Sequence, residues 1–378
     1  MGYEYIKLFD KAVADADLLD SIELPRSAGV YVGSLDVIIR GTVGAYTAGQ
    51  EPDLIGNSLA SLQVEGNPKG KSTETLVNCG PRDLYNIAWY DRGVPPVHFH
   101  RRSSTAGLAH IPISFALTPR KGIAGFPPTL MLPSWKYSSL NLKLNWQGEG
   151  TKIATDAWAT GTIRCEVYAN ILRHPTAKGT GNHFIKTILD DTYTSKASGD
   201  VETSIPTEGL LRRIYVSAKE AGIESNVDIT NVKLELDNGA SIPYNATWRA
   251  TVIKNVQDYG LYTWQAIERY GASTDVFEFD INTLQAVVVQ PSSNTIVGAT
   301  SIAGNQVTVG EITDAGVTVT AASTKYLMGY GFGVDHSIML DFSASPIPAM
   351  NLKDIDLILT QGGADAKVRV VSEHIVQA

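Results

Sequence analysis

The sequence predicts an all-β protein made of two similar domains, and three observations lead to this prediction. The chain has 378 residues, more than one hydrophobic core usually spans, so two domains are expected. Only 19% of the residues are charged, and no long segment has the apolar spacing of a helical bundle. The third observation is a repeat, in which the pattern that ends the chain also occurs near its middle.

The repeat consists of two strand signals in each half. Leucines alternate with polar residues in residues 140–144, and apolar residues recur at the same alternate positions in residues 355–359. Ile163 and Arg164 then begin a second strand in the way that Val368 and Arg369 do. Because the matching segments are separated by about half the chain, both halves are expected to end with the same pair of strands.

Residues 1–20 are expected to form an N-terminal helical arm. Ile6, Phe9, Val13 and Ala16 share one face of such a helix, and the acidic residues lie largely on its other faces. An acidic helix is a poor ligand for an anionic membrane surface. Packing of the arm on its own domain or on a neighbour is therefore favoured over a membrane-facing helix.

The first domain is expected to span residues 21–175, with a short helix at residues 80–93. Strand signals in this domain fall in residues 29–43, 58–66, 110–117, 136–146 and 161–172. Residues 176–205 are largely polar and have no regular apolar pattern, which is typical of a connector between domains.

The second domain is expected to span residues 206–378 and to repeat this order, with a short helix within residues 245–271. Its strand signals fall in residues 208–218, 228–239, 275–281, 284–290, 328–343 and 350–378. Residues 292–324 consist almost entirely of small side chains, and we expect them to form an exposed, β-rich excursion.

About eight strands per domain, joined by long and variable connections, favour a jelly roll over an immunoglobulin-like sandwich with tight, regular turns. We therefore predict an all-β fold of two tandem eight-stranded jelly-roll barrels, with short helical insertions and an N-terminal helix. On this interpretation the ending of the chain repeats because the barrel repeats.

Composition excludes several classes of function. The formal net charge is −8 and there is no tract rich in Lys and Arg, so direct binding of nucleic acid is not expected. Cys79 and Cys165 are too few for a disulfide framework or a cysteine-based zinc site. With no apolar stretch long enough to cross a bilayer and no signal peptide, the chain is expected to be made and kept in a reducing cytosol.

Three short motifs suggest ligands but favour structural roles. Residues 66–73 resemble a phosphate-binding loop, yet their spacing is one residue short and no helix is expected after them. Alternate glycines in residues 329–334 favour a strand whose neighbours need room over a dinucleotide site. His98 and His100 have the spacing of a metal pair, with His110 nearby, but no full ligand set follows, so structural histidines are favoured.

No nucleophile signature is present and the carboxylates are dispersed, so we expect no catalytic, cofactor-binding or metal-binding residues and no cofactor. Several aromatic residues lie in or beside strand signals. They form a sugar-binding platform in one interpretation, and fill a barrel core or a subunit contact in the favoured one. These residues are Trp135, Tyr137, Trp146, Trp158 and Trp248.

The strand pattern resembles the double-jelly-roll major capsid proteins of tailless icosahedral viruses of bacteria and archaea, many of which enclose an internal membrane. The adenovirus hexon belongs to the same lineage. The resemblance is carried by residues 126–146, in which a Leu-Pro and aromatic segment at 132–135 precedes a strand, and by residues 208–239, which open the second domain. It covers roughly residues 21–175 and 206–378.

The resemblance implies a non-enzymatic structural protein of the virion, synthesised in the host cytoplasm. It implies a homotrimer whose six barrels form a pseudo-hexagonal tile that contacts neighbouring tiles, minor capsid proteins and penton proteins. The N-terminal arm would lie at the inner face, near neighbouring tiles or an internal membrane, and residues 292–324 would project outward or onto an adjacent subunit.

Two alternatives remain open from the sequence. A carbohydrate-binding or glycan-degrading jelly roll, such as a phage receptor-binding component, predicts a concave cluster of aromatic residues and carboxylates. A tailed-phage capsid or decoration protein of another fold predicts a long spine helix, for which the sequence has no signal.

Overall fold

The computed structural model is dominated by β-strands. It describes residues 2–14, 16–43, 55–56, 58–92, 99–103, 107–118, 131–147, 158–159, 161–173, 183–220, 223–269, 274–278, 281–291, 297–303, 306–311, 324–334 and 336–377. Among these residues, no α-helix is both long and apolar enough to cross a bilayer.

The elements up to residue 173 form the first barrel. They are β1 (Gly2–Ala12), β2 (Leu19–Glu23), β3 (Val30–Val43), β4 (Leu59–Pro68), β5 (Glu74–Cys79), α1 (Pro81–Arg92), β6 (Phe99–Ser103), β7 (Gly107–Ala116), β8 (Tyr137–Trp146) and β9 (Arg164–Arg173). Proline in the first position of α1 and Asp83 in its first turn are both favourable at a helix N-terminus.

The elements from residue 183 onward form the second barrel and an insertion within it. They are β10 (His183–Thr194), β11 (Gly199–Ser204), β12 (Leu210–Lys219), α2 (Ser225–Asp228), β13 (Ile229–Leu236), β14 (Ser241–Thr247), α3 (Trp248–Tyr259), β15 (Tyr262–Arg269), β16 (Thr274–Glu278), β17 (Ile281–Pro291), β18 (Val297–Ala303), β19 (Gln306–Glu311), β20 (Thr324–Val334), β21 (Ser337–Asp341), β22 (Ile355–Gln361) and β23 (Lys367–Gln377). The Thr247 hydroxyl accepts a hydrogen bond from the Ala250 amide and caps α3, which ends at Gly260 with a φ of 87°.

The two barrels have the same topology. The first contains the sheets β1-β9-β3-β7 and β2-β8-β4-β5, and the second contains β10-β23-β12-β21 and β11-β22-β13-β14. If the eight barrel strands are counted in chain order, both barrels have one sheet in the order first, eighth, third, sixth and the other in the order second, seventh, fourth, fifth. The repeated endings predicted from sequence are therefore the seventh and eighth strands of each barrel, and the jelly-roll prediction is confirmed.

Each barrel has its own hydrophobic core between its two sheets. Inward residues alternate with outward residues along most strands, as in β8 and β22. In the first core the inward residues of four strands include Val37, Ile39, Leu62, Val64, Leu142, Leu144 and Val167. In the second they include Ile214, Val216, Val232, Leu234, Leu357, Leu359 and Val370.

The connection between the fifth and sixth strands is expanded in both barrels. It contains α1 and β6 in the first barrel, and α3 with β15 to β20 in the second. β6 pairs in parallel with β15, so that β15, β20 and β17 extend the first barrel's sheet, while β16, β19 and β18 form a separate small sheet. The helices expected at residues 80–93 and within 245–271 are thus confirmed. The excursion at residues 292–324 contains β18 and β19, and its residues 292–296, 304–305 and 312–323 lie outside the described residues.

The helix expected in residues 1–20 is wrong, because residues 2–12 form β1 at the edge of a sheet. β1 pairs with β9 along its length, and its register shifts between Lys7 and Phe9. This extra residue interrupts the two-residue alternation and gives the inward side chains a spacing that resembles a helical face.

The expected connector at residues 176–205 likewise contains two strands, β10 and β11, which are the first and second strands of the second barrel. β10 also has a register shift, between Leu189 and Asp191, and β11 is an edge strand with mostly exposed side chains. In both barrels the first strand contains a register shift and the second is a short edge strand, so both opening strand pairs were misassigned for the same reason.

Candidate functional site

Helix α1 lies between the two barrels and joins them. It belongs to the first barrel, where it contacts β4 and β7, and its other face covers the outer face of the sheet β10-β23-β12-β21. The Asn86 amide donates to the Tyr215 hydroxyl at 2.9 Å, and the hydroxyls of Tyr90 and Ser337 share a hydrogen bond of 3.3 Å. This contact buries β12 on both of its faces.

A buried ion network forms the centre of this junction. Arg212 donates to Glu373 at 2.8 Å and to Asp91 at 3.2 Å, while Arg213 donates to Asp91 at 2.6 Å and to Asp341 at 3.0 Å. The side chains of both arginines, Asp91 and Glu373 are less than a tenth exposed. One carboxylate from the first barrel thus bridges two guanidiniums of the second.

A β-bulge explains how adjacent arginines enter the same network. The pairing of β12 with β23 shifts register between Leu211 and Arg213, so Arg212 is an additional residue in its strand. In a regular strand, successive side chains point to opposite faces, and one arginine would point into the apolar core. The bulge instead allows both guanidiniums to reach Asp91.

The network sets opposite pKa shifts on its carboxylates. Burial disfavours the charged form of Asp91, but Arg213 and Arg212 outweigh burial and lower the pKa of Asp91. Burial raises the pKa of Glu373. Arg212 and Arg213 lower this pKa, but the negative charges of Asp91 and Asp341 offset much of their effect, so the pKa stays raised. The pKa of Arg213 is raised, since the surrounding carboxylates outweigh its burial.

Further contacts fix the helix in place. The Arg369 guanidinium bonds Asp83 at 2.8 and 2.6 Å, and a Cβ on Gly80 would lie 2.4 Å from Arg369 Nη2, so a larger residue there would displace this ion pair. β5 of the first barrel also pairs in parallel with β10 of the second over two residue pairs. The junction therefore combines strand pairing, helix packing and buried charge.

Aromatic rings connect α1 to α3 at the same junction. The ring centroids of Tyr90 and Tyr259 are 5.1 Å apart, and those of Trp89 and Tyr259 are 5.7 Å apart. The Tyr259 hydroxyl donates to Asp341, and the Arg213 guanidinium lies 6.0 Å from the Tyr259 ring centroid. The two helices are thus linked through the ion network.

The outer face of the sheet β1-β9-β3-β7 in the first barrel is partly exposed. It carries charge pairs between strands, in which Arg40 bonds Glu166 at 2.8 Å and Arg164 bonds Asp10 at 2.5 Å. The Tyr5 ring stacks on another tyrosine of this face and is half exposed. This face is equivalent to the one that α1 covers in the second barrel.

The aromatic residues singled out from the sequence do not form a platform. Tyr137, Trp146, Trp158 and Trp248 are buried, and only Trp135 is partly exposed. Their buried polar atoms are largely paired inside the first barrel, where the indoles of Trp146 and Trp158 donate to Asp20 and Ser58, both at 2.9 Å. The core-filling interpretation is therefore confirmed for four of the five.

Of the three short motifs singled out from the sequence, two lie in or directly after strands, and the third lies only partly within the described residues. Residues 66–73 end β4 and turn directly into β5, so no helix N-terminus is present to hold a phosphate. Residues 329–334 lie in β20, as predicted. His98 is outside the described residues, and His100 lies in β6, a strand whose side chains are not described. Within the described part of the chain, no three His, Cys, Asp or Glu residues are grouped as metal ligands.

Sequence reasoning did not predict the ion network. Its one visible signal is the pair Arg212-Arg213 within the otherwise apolar segment 210–218, where buried arginines require carboxylate partners. Nothing in the sequence shows that one partner, Asp91, would come from the other barrel. Both cysteines are buried and unbridged.

The fold is shared with structures of viral capsid proteins. The crystal structure of the STIV major capsid protein superposes with a TM-score of 0.58 at 12% identity, over 100% of this chain and 97% of that chain. The atomic structure of Sulfolobus Turreted Icosahedral Virus gives a TM-score of 0.59 at 12% identity, over 99% and 91%. The quasi-atomic model of the PBCV-1 virus capsid gives 0.57 at 8% identity, over 99% and 93%.

No protein-family model matches the sequence, and no curated protein is significantly similar to it. At such low identity the superpositions show the fold alone. The chain therefore has the double-jelly-roll fold of viral major capsid proteins, over nearly the whole length of both chains in each comparison.

Proposed function

We propose that this chain, which has the fold of viral major capsid proteins, is itself a major capsid protein without catalytic activity. The observation that carries the proposal is the full-length match to the STIV major capsid protein, which includes both barrels and leaves 3% of that chain unmatched. A match to one barrel would support only a jelly-roll domain, which occurs in proteins of many functions.

The rigid pairing of two equivalent barrels suits a shell subunit. Three copies of a two-barrel chain around a threefold axis place six similar barrels in one ring, which approximates sixfold symmetry and tiles a surface. We propose this homotrimer as the capsomer. The junction at Asp91, Arg212 and Arg213 supports the proposal, because a tile needs a fixed angle between its two barrels.

The proposed partners are other copies of the chain, followed by minor capsid and penton proteins at the edges and vertices of the shell. The proposed location is the virion, after synthesis in the host cytoplasm. Contact with an internal membrane through an N-terminal helical arm loses its support, because residues 2–12 form a barrel strand.

The carbohydrate-binding alternative also loses its main support. It required a concave cluster of exposed aromatic residues, and four of the five candidates are buried. No observation on the described residues favours it over the capsid role.

The test is the mass of the purified protein by light scattering, combined with negative-stain images of the same fraction. A mass of three times 40.7 kDa, with hexagonal plates or closed shells at higher concentration, is the expected result. A protein that remains monomeric and forms no particles across all concentrations and salts tested would refute the capsid role.

A further inference from the structure

We propose that Asn238 is a modification site that acts as a one-way latch: its side-chain amide holds a turn of the second barrel in place, and its deamidation releases that turn. The reacting groups are Asn238, Gly239 and water, so the reaction requires no enzyme and no cofactor. The inference goes beyond the proposed function and does not depend on it, because every step occurs within one chain.

The sequence singles out this asparagine. Asn238 is followed by Gly239, and this is the only Asn-Gly pair in the 378 residues. Asparagine deamidates when the backbone nitrogen of the next residue attacks its side-chain amide carbon, and glycine, which has no Cβ, leaves that nitrogen open to close approach. Asn238 is exposed and Gly239 is partly exposed. Sequence and exposure therefore favour this reaction at Asn238 over the other asparagines.

The pair lies at the tip of the hairpin between β13 and β14. The two strands pair as far as residues 236 and 241, and the turn lies between them. The backbone φ is 52° at Asp237, 54° at Asn238 and 79° at Gly239. Asn-Gly is favoured in hairpin turns because both residues adopt the left-handed region at low cost. The turn therefore explains why this pair occurs here.

Asp354 clamps the turn through both of its carboxylate oxygens. Its Oδ1 accepts from the backbone N–H of Asn238 at 2.6 Å, and its Oδ2 accepts from the side-chain Nδ2 of Asn238 at 2.8 Å. The Lys353 amide donates to Asp237 at 2.8 Å, and the Asp237 amide donates to the Asp354 carbonyl at 3.2 Å. Because hydrogen bonds to a charged group are the strong ones, Asn238 is the principal tie between the turn and the segment before β22.

The same clamp restrains the reaction. Deamidation requires Cγ of Asn238 to approach the nitrogen of Gly239, and the side chain and the backbone between them must rotate to allow it. Asp354 holds both the backbone N–H and the side-chain nitrogen of Asn238, so this rotation breaks the hydrogen bonds of the clamp. We expect the folded protein to deamidate slowly, at a rate that is set by local opening of the clamp.

The reaction balances with water as its only co-reactant. The Gly239 nitrogen loses its proton and bonds to Cγ of Asn238, and the Cγ–Nδ2 bond breaks as Nδ2 takes up a proton and leaves as ammonia. Water then opens the cyclic succinimide at either carbonyl, which gives aspartate or, with the backbone passing through the side chain, isoaspartate. A Cβ on Gly239 would lie 3.4 Å from Glu235 Oε2, so the Glu235 carboxylate lies beside the glycine and can accept the amide proton.

Either product prevents the clamp from closing again. An oxygen replaces Nδ2, so the donor to Asp354 Oδ2 is lost and two carboxylates of like charge face each other. Isoaspartate also adds a methylene to the backbone of a turn whose geometry fixes the pairing of β13 with β14. A reversible opening thus becomes permanent, and the ends of β13 and β22 at Leu236 and Ile355 should loosen.

The test of the modification is peptide mapping by mass spectrometry of the purified protein, incubated at mildly alkaline pH and sampled over time. Asn238 should convert to a mixture of aspartate and isoaspartate. Asn351, which is exposed but precedes Leu352, should stay unmodified in the same samples. Asp354→Ala opens the clamp and should increase the rate at Asn238 about tenfold, the change expected for one hydrogen bond to a charged group.

Asp356→Ala is the matched control, because it removes a carboxylate of the same segment that bonds Ser204 at 2.9 Å rather than the turn. Its rate of conversion at Asn238 should equal that of the wild type. Circular dichroism and thermal melting establish that each variant is folded. If Asp354→Ala does not fold, Asp354→Asn keeps the size of the side chain and removes its charge.

Hydrogen exchange tests the release of the turn. Asn238→Asp reproduces the charge of the product, whereas Asn238→Ala removes the donor without adding charge. Exchange in residues 235–241 and 351–356 should be faster in Asn238→Asp than in Asn238→Ala, because only the aspartate repels Asp354. Exchange in the first barrel should be the same in both variants.

Each outcome decides the inference. Conversion that is slow in the wild type and faster in Asp354→Ala supports the latch, and absence of conversion in both overturns the modification site. Equal rates in the two proteins overturn the control by Asp354. Equal exchange in Asn238→Asp and Asn238→Ala overturns the one-way release. None of these results depends on the oligomeric state, by which the proposed function is tested.

Discussion

Replacement of Arg213 by methionine is expected to destabilise the junction between the barrels. The Arg213 side chain is 7% exposed and lies 2.6 Å from Asp91, 3.0 Å from Asp341 and 3.9 Å from Glu373. Methionine fills much of the same space but carries no charge and no donors. The variant therefore leaves three carboxylates around the single remaining guanidinium, that of Arg212.

The magnitude follows from the burial of the cluster. Removal of one partner from a buried ion pair costs about 3–5 kcal/mol, because the remaining charge has lost its solvent and its partner. We expect a loss of about 4 kcal/mol at neutral pH. The pKa of Glu373 is already raised, and loss of the Arg213 cation raises it further.

This shift gives the defect a pH dependence. A carboxyl group whose folded pKa is raised stabilises the native state most at low pH, and this contribution is lost as pH rises through the folded pKa. The stability of Arg213→Met should therefore fall more steeply above about pH 4.5 than that of the wild type. The defect should be smallest under acidic conditions, where Glu373 is protonated.

Urea unfolding at fixed protein concentration, followed by tryptophan fluorescence at pH 5 and pH 8, measures the effect. The matched control is Lys143→Met, which removes a 2.6 Å pair with Glu65 that is about a third exposed and should cost at most about 1 kcal/mol. If Arg213→Met unfolds within 1 kcal/mol of this control at both pH values, the network does not hold the junction and the reasoning fails.

Three other predictions test separate parts of the fold. Burial raises the pKa of Asp190 to about 7, so Asp190→Asn should stabilise the protein by an amount that grows from near zero at pH 4 to its maximum near pH 7. The gain in the free energy of unfolding is at most roughly 4 kcal/mol, and it is measured as an increase in melting temperature. A gain that does not change with pH contradicts the pKa shift. Trp158→Ala should lower the free energy of unfolding by about 4 kcal/mol in urea, since the indole is buried and donates to Ser58. Loss of glycan binding with unchanged stability would instead support a sugar-binding platform. Gly66→Ala places a Cβ 2.5 Å from the Tyr137 ring and should destabilise the protein by about 1–3 kcal/mol, measured as a lower melting temperature. Addition of a nucleotide to the wild-type protein should leave its melting temperature unchanged. An increase with nucleotide would support the phosphate-loop interpretation.

The repeated strands were predictable because their environment is regular. β8 and β22 lie inside their sheets, with one face in the core and the other toward solvent, so apolar and polar residues alternate without interruption. Because the same pattern occurs in both halves, the sequence predicts the two-barrel fold. The short helices were also predictable, because residues 80–93 do not alternate.

The opening strands of each barrel were not predictable in the same way. β1 and β10 each contain a register shift, and β2 and β11 are short edge strands. A single extra residue reverses the inward and outward positions after it, so no constant period describes the strand. The repeat could have predicted these strands, since two copies of one barrel must begin with the same strands.

The site depended on contacts that no local pattern encodes. Asp91 lies about 120 residues from Arg212 and Arg213 in the chain, and the bulge that brings both arginines to it is a property of the pairing between β12 and β23. A sequence shows that buried arginines need partners, but the fold decides which carboxylates supply them.

The chemistry of the junction explains why it contains charge at all. Buried ion pairs add little net stability compared with apolar packing of the same volume, so the network is weak as a source of affinity between the barrels. Its hydrogen bonds are directional, however, and Asp91 can satisfy Arg212 and Arg213 together in only a narrow range of barrel orientations. An apolar interface would tolerate sliding at small cost. Under the proposed capsid role, in which the two barrels present equivalent faces to other copies, a fixed orientation has greater value than added stability.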